Sequence, residues 1–290
     1  MEAKKFTVAQ RQALTELLDD PSPTVRAALV AEFTRHGHES VHLLRELTHQ
    51  SNRMLALQAA WFLRELNFSD PVGEFRSFIR SLNYELETGA LLLSRTVNPD
   101  LDVGACCTQL DALATRCREL IAEPATVREK CRVLNRVLFH EFDLHGNADH
   151  YTDPLNSYLD QVLTRRKGIP ISLSIVYLLV AERVGLQLEA VALPGHFLVG
   201  CYEENVPFFI DPFNAGVFLT AGEVFILLRQ SSGHASLADL APTPVRAVLC
   251  RCCRNLATHY RAAHEPRHAR LFAGFVAEFE STHARHAPPK

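Results

Sequence analysis

Gly168-Ile-Pro-Ile-Ser-Leu-Ser-Ile-Val-Tyr-Leu-Leu-Val-Ala-Glu-Arg-Val-Gly185 is apolar on nearly every side when wound as a helix. Leu173, Val176, Tyr177, Val180, Ala181 and Val184 share one stripe at helical spacing, and Ile171, Ile175, Leu178 and Leu179 cover much of the remainder. A helix with so little polar face belongs at the centre of a core. Pro170 suits its first turn, where no internal hydrogen bond is lost.

Downstream the hydrophobic period changes. Leu188–Leu193, His196–Tyr202 and Phe208–Asp211 are short, rich in Val, Phe and Leu, and bounded by Pro, Gly and Asn, so they read as strands. Glu203–Val206 reads as the hairpin turn between the last two. After Asn214 a return to helix is expected, ending in a helical pair over 245–262 and 266–281. Upstream, 156–167 reads as a short helix closed by Gly168, with Asn156 as its cap. Asp143–Pro154 is a polar loop. Residues 71–122 and 127–142 have helical spacing, and Asn98-Pro-Asp-Leu-Asp102 breaks and then caps the pattern. Residues 7–68 read as short amphipathic helices in pairs. The predicted class is α+β and mostly helical: a buried helix against a small antiparallel sheet, with helices at both ends.

A buried helix followed by strands that carry His and then Asp is the layout of cysteine-protease chemistry. That chemistry wants a nucleophile at the helix N-terminus, where the backbone dipole stabilises a thiolate. It wants a histidine base and an acidic or amide group to hold the imidazole. A turn centred on Glu204-Asn205 would set Leu198 opposite Asp211. His196 then lies on the same sheet face as Asp211, two positions along its strand. Cys201 falls on the opposite face by strand parity.

Four segments carry a family resemblance. They are Asp153-Pro-Leu-Asn-Ser-Tyr-Leu159, Arg165-Arg-Lys-Gly-Ile-Pro-Ile-Ser-Leu-Ser174, Pro194-Gly-His-Phe-Leu-Val199 and Phe209-Ile-Asp-Pro-Phe213. Together they closely resemble the SirB family of transglutaminase-like proteins, over about residues 75 to 220. The resemblance implies a papain-like core over 71–220. Residues 221–290 would be C-terminal helices similar to a tetratricopeptide unit. Residues 1–70 loosely resemble HEAT repeats, which lie outside the usual family pattern. The wider superfamily places Gly-x-Cys before its central helix. Aligned without gaps, its cysteine falls on Pro170, which has no nucleophile.

The expectation is therefore a non-catalytic scaffold that binds a protein or peptide and acts in regulation, a pseudoenzyme. The alternative is a hydrolase or acyltransferase on amide or ester bonds, with Ser172 as nucleophile, His196 as base and Asp211 as orienter. Two residues along a helix is about 200° of rotation, so Ser172 points away from the vacant position. Asn156, Arg165, Arg166, Pro170, Ser174 and Tyr177 are the candidate cleft residues. Each has a plain structural reading beside the functional one: His196 can simply tie two strands, and Ser172 can cap its own helix.

The bulk figures narrow the classes further. The net charge is -3 over 290 residues, which gives no global attraction to nucleic acid or anionic membrane. No apolar run is long enough to span a bilayer, and Met1-Glu-Ala-Lys-Lys5 shows no leader pattern. The eight cysteines have no disulfide spacing and read as reduced thiols of a bacterial cytoplasmic protein. Cys250-Arg-Cys-Cys253 lacks the partner pair a structural zinc site needs, and the His140, His145, His150 series fits no ligand spacing. No metal and no cofactor are expected.

Overall fold

The computed structural model describes residues 6–48, 52–66, 70–204, 206–232 and 236–286. Contacts divide the chain into two compact units, Met1–Asp70 and Pro71–Lys290.

The first unit holds α1 (Val8–Leu17), α2 (Pro23–His36), α3 (His38–Thr48) and α4 (Arg53–Glu65). Thr7 opens α1 with a reciprocal cap: its hydroxyl accepts from the Gln10 N–H, and the Gln10 side chain accepts from the Thr7 N–H. Pro23 sits in the first turn of α2. The apolar stripes meet in one cluster that includes Leu18, Leu29, Phe33, Leu44, Leu47 and Phe62. His49, at the expected end of α3, lies outside the described residues.

The second unit begins with α5 (Pro71–Ser81), α6 (Leu86–Arg95), α7 (Val103–Leu120) and α8 (Val127–Asn135). Asp102 caps α7, accepting from the Ala105 N–H. The helix expected over 127–142 does not stay α-helical: its last turns, Arg136–Glu141, widen to π-helix. A two-residue strand β1 (His145–Gly146), a 3-10 turn Pro154–Ser157 and α9 (Leu159–Arg165) follow. β2 (Lys167–Gly168) pairs parallel with β1.

Next comes α10 (Pro170–Arg183), in which every residue from Pro170 to Ala181 is buried. Burying each large apolar side chain contributes about 1.5–3 kcal/mol. The sheet then forms from β3 (Glu189–Leu193), β4 (His196–Cys201), β5 (Phe208–Asp211) and β6 (Val217–Thr220), antiparallel in that order. Its faces separate by parity. Phe197, Val199, Cys201, Phe208 and Ile210 join the main core around α10. Leu193, Leu198 and Phe209 join a second cluster with Val224 and Leu228 of α11 (Ala221–Ser232) and with Leu240.

Two differences from the sequence expectation matter. Helix was expected directly after Asn214, but the chain first adds β6. Ala215 and Gly216 take positive φ (52° and 76°) and turn the chain back, so that Val217-Phe-Leu-Thr220 pairs with β5. Gly168 was expected to close α9, but Arg166 takes the left-handed position (φ 57°), and Gly168 serves in β2.

α12 (Val245–Ala262) and α13 (Pro266–His286) pack on each other, and α13 packs on α5. Their Leu249, Cys253, Phe272, Phe275 and Phe279 belong to the same core as α10. Phe75 of α5 meets Phe275 edge to face at 4.9 Å. No helix of the described residues is long and apolar enough to cross a membrane.

Candidate functional site

β4 begins directly after a tight turn. Leu193 pairs with His196 across Pro194-Gly195, and Gly195 supplies the positive φ (73°) that the turn needs. His196 is thus the first residue of its strand, with its ring at the sheet margin. The observed pairs Val199–Ile210, Gly200–Phe209 and Cys201–Phe208 carry the expected register, which puts Leu198 opposite Asp211. Asn205, expected in that turn, lies outside the described residues.

The consequence is a direct bond. Nε2 of His196 lies 2.7 Å from Oδ2 of Asp211. Asn214 steadies the same carboxylate: its side-chain amide donates to Oδ2 at 2.8 Å, and its backbone N–H donates to Oδ1 at 3.3 Å. The Phe213 N–H donates to Oδ1 at 3.1 Å. Burial pushes the Asp211 carboxyl up, but the hydrogen bonds from His196 and Asn214 outweigh it, and the pKa stays below the ordinary value. Asn214 was not anticipated. Its signal was the Asp-Pro-Phe-Asn run, in which the aspartate side chain caps the turn that follows it.

A cleft of about 360 Å³ opens beside this pair, lined by His196, Asp211, Asn214, Leu193, Leu227 and Gln230 among others. It lies toward α11, on the sheet face away from α10. Cys201, as parity implied, faces the main core and is buried.

Ser172 is elsewhere. It is the third residue of α10, and its hydroxyl accepts from the Ile169 N–H at 3.0 Å. That hydroxyl lies 2.6 Å from the Asn156 carbonyl, to which it donates, and 3.1 Å from the Ile169 carbonyl. Its hydrogen bonds among the described residues include none to His196. The bonding is that of a helix cap and a tie to the preceding loop.

The remaining expected cleft residues do not gather at the dyad. Asn156 does not cap α9, which starts after Tyr158 without a side-chain cap. Fully buried, it organises its own loop: Oδ1 accepts from Asn147 at 2.9 Å and Nδ2 donates to the His150 carbonyl at 2.8 Å. A short amide in a tight turn satisfies nearer groups first. Arg165 pairs with Asp153 at 2.6 Å, and Arg166 lies over the Phe142 ring at 5.0 Å. Pro170 is buried at the start of α10. The Ser174 hydroxyl is buried and has no hydrogen-bond partner among the described residues. Tyr177 reaches the opposite side, donating to Asn135 Oδ1 at 2.9 Å.

Phe213 stands beside the dyad. Its ring meets His196 edge to face at 6.4 Å and Tyr151 at 6.1 Å. Against Gly146 it packs so closely that a Cβ there would sit 2.6 Å from it. No group of three or more His, Cys, Asp or Glu among the described residues is placed to hold a metal ion.

A buried helix on a small antiparallel sheet, with His leading one strand and Asp closing the next, defines a transglutaminase-like domain. Residues 104–254 match the family model of the transglutaminase-like superfamily, and the chain belongs to that superfamily. Two UPF0162 proteins of Xylella fastidiosa are 38% identical over 181 residues, which is 60% of this chain and 64% of theirs. The chain thus spans less than two thirds of the length of these curated relatives. F-box only protein 21 of Mus musculus is 40% identical over 131 residues, 42% of this chain and 20% of that protein. A UPF0162 protein of Vibrio cholerae is 28% identical over 166 residues, 57% of this chain and 60% of that one. No solved structure matches the chain.

Proposed function

We propose that this chain is a SirB-type transglutaminase-like module that binds a protein or peptide partner without turning it over. The observation that carries the reading is the engagement of Ser172. Its proton is given to the Asn156 carbonyl at 2.6 Å, and its lone pair to the Ile169 N–H. Pro170, aligned with the superfamily's cysteine, is a buried ring at the first position of the helix. A nucleophile needs a base within hydrogen-bond reach, and neither residue offers one to His196.

The His196–Asp211 bond favours a second reading, a Ser-His-Asp hydrolase or acyltransferase. The same bond serves equally to tie β4 to β5, and a structural tie requires no third member. The proposed parts of this cytoplasmic protein are a HEAT-like segment over 1–70 and a core over 71–220 that a tetratricopeptide-like helical pair within 221–290 completes. Modular use is supported by F-box only protein 21, in which the related segment is 20% of a much longer chain. The partner would be engaged at the cleft beside His196.

The test is activity-based labelling of the full chain with a serine-directed fluorophosphonate. The expected result is no adduct at Ser172. An adduct there that disappears in both Ser172→Ala and His196→Ala overturns the binding-module reading.

A further inference from the structure

Arg251 is the origin of the inference. It projects from α12 and is only partly exposed, with its Nη2 donating to the His196 carbonyl at 2.8 Å. Its guanidinium lies over the Phe197 ring at 5.5 Å. Among the described residues no carboxylate pairs with it. Burial, with a smaller push from Arg254, pulls its pKa below the ordinary arginine value. A cation withdrawn from water without a counter-ion is costly, and the interaction that relieves it is an anion.

The neighbouring acids are already committed. Asp211 is held by His196 and Asn214, and Asp153 by Arg165 at 2.6 Å. Two neighbouring polar groups are open. His196 uses Nε2 on Asp211, and Nδ1 has no partner among the described residues. Tyr151 is 39% exposed, and its hydroxyl has no partner among the described residues either. Its ring rests between Phe213, at 6.1 Å, and His259 of α12, at 6.0 Å. His259 lies two turns beyond Arg251 on the same helix face. It is 5% exposed, and its Nδ1 has no hydrogen-bond partner among the described residues.

We propose that Arg251, Tyr151 and His196 form a carboxylate-binding site around the Phe213 ring. The guanidinium supplies the charge and a planar pair of N–H donors that matches a carboxylate. Tyr151 supplies a hydroxyl donor, and His196, whose Nε2–H is given to Asp211, supplies an Nδ1–H when its ring is doubly protonated. Phe213 gives the apolar floor that strengthens these bonds by keeping water off one side. The ligand is a carboxylate, either a small free acid or the C-terminus of a peptide.

This inference rests on the reading of the dyad region as a binding site, but it fails separately. A fluorophosphonate adduct at Ser172 would remove the non-catalytic reading and leave carboxylate binding untouched.

The experiment is a titration of the full chain, followed by NMR of arginine side-chain and histidine ring signals. The probes are tetra-alanine with a free carboxyl terminus, the same peptide as its amide, and sodium acetate. The free acid is expected to move the Arg251 Nε and His196 ring signals, and the amide to bind about tenfold or more weakly, the loss of one charge-assisted contact. Binding of acetate as tight as that of the peptide acid identifies a small acid as the ligand. Binding of the peptide acid alone identifies a chain terminus. Arg251→Gln is expected to abolish the response. Because Arg251 also braces the His196 carbonyl, Tyr151→Phe is the second variant: it keeps the ring on Phe213 and His259 and is expected to weaken binding severalfold. Equal binding of acid and amide, no response to any probe, or unchanged binding in Tyr151→Phe overturns the proposal.

Discussion

The Ser172 hydroxyl donates to the Asn156 carbonyl across 2.6 Å while it accepts from the Ile169 N–H at 3.0 Å. This pair joins the loop before α9 to the first turn of α10 inside the core, with both residues buried. Ser172→Ala removes a partner from each backbone group without adding one. The expected cost is about 1–3 kcal/mol of folding stability, measured by urea unfolding. A neutral result would mean that the hydroxyl is free to do something else.

Pro170→Cys places a thiol at the position that the proposed reading aligns with the superfamily's nucleophile. The position is buried, so the new thiol is expected to resist iodoacetamide in the folded chain and to react once urea unfolds it. Peptide mapping by mass spectrometry locates the adduct. Rapid native labelling that vanishes in Pro170→Cys/His196→Ala would place the imidazole within reach of the helix start and sink the scaffold reading.

How much of this was legible in the sequence follows from how local each signal was. The all-apolar run after Gly168 identified α10, and strand parity with a turn at Glu204-Asn205 identified the His196–Asp211 pairing and the burial of Cys201. Those inferences need only one helix and one hairpin. Tyr177 was expected at the cleft, and Asn156 first as a helix cap and second at the cleft. Their side chains are claimed instead by Asn135 and by the loop around Asn147 and His150, partners that periodicity does not reveal. Arg251 arrives from α12, 55 residues after His196, and no spacing rule links the two. β6 was missed because Val217-Phe-Leu-Thr220 is too short to separate strand from helix by period alone.

Asp211 makes stability depend on pH. Its folded pKa is held below the ordinary value, because bonds from His196 and Asn214 outweigh the opposing effect of burial. A carboxylate depressed on folding stabilises the fold above its unfolded pKa, about 4, and that contribution fades as pH falls through the folded pKa. Asp211→Asn is expected to flatten this part of the curve of stability against pH below about pH 4. It is also expected to cost about 1–3 kcal/mol at neutral pH through the lost charge-assisted bonds. Urea midpoints across acid pH for both proteins check the sign. An unchanged slope would show that another carboxylate carries the dependence.

Gly216 is where backbone and packing constrain the same atom. Its φ is +76°, and a Cβ would sit 2.4 Å from the Asn135 side chain. Asn135 cannot swing away freely: it accepts from the Tyr177 hydroxyl at 2.9 Å and donates to the Gly216 carbonyl at 2.6 Å. The left-handed backbone costs an alanine about 1–2 kcal/mol, and overpacking about 1–3 kcal/mol more. Gly216→Ala is therefore expected to lose about 2–5 kcal/mol by thermal or urea unfolding. The Gly216 N–H also donates to the Asp211 carbonyl at 2.8 Å, so the His196 ring signals are expected to shift with it. A stability near that of the parent chain would require the turn after Asn214 to rearrange.

The thiols give the last expectation. Seven of the eight cysteines are buried, and Cys107 alone is partly exposed. Burial disfavours the thiolate and pushes Cys117, Cys131 and Cys252 up to about 12, with Cys253 raised in the same direction. Thiol–disulfide exchange requires both a thiolate and access, and these positions have neither. Even Cys107 is slowed, because burial and its hydrogen bond to Glu87 at 3.2 Å both raise its pKa. A native-state titration with a chromogenic disulfide near neutral pH is expected to show one slow reactive thiol, lost in Cys107→Ser, with the other seven released only by denaturant. A second fast thiol in the native protein would place a nucleophile outside the packed core, and mapping it onto Cys250, Cys252 or Cys253 would show that α12 leaves the core in solution.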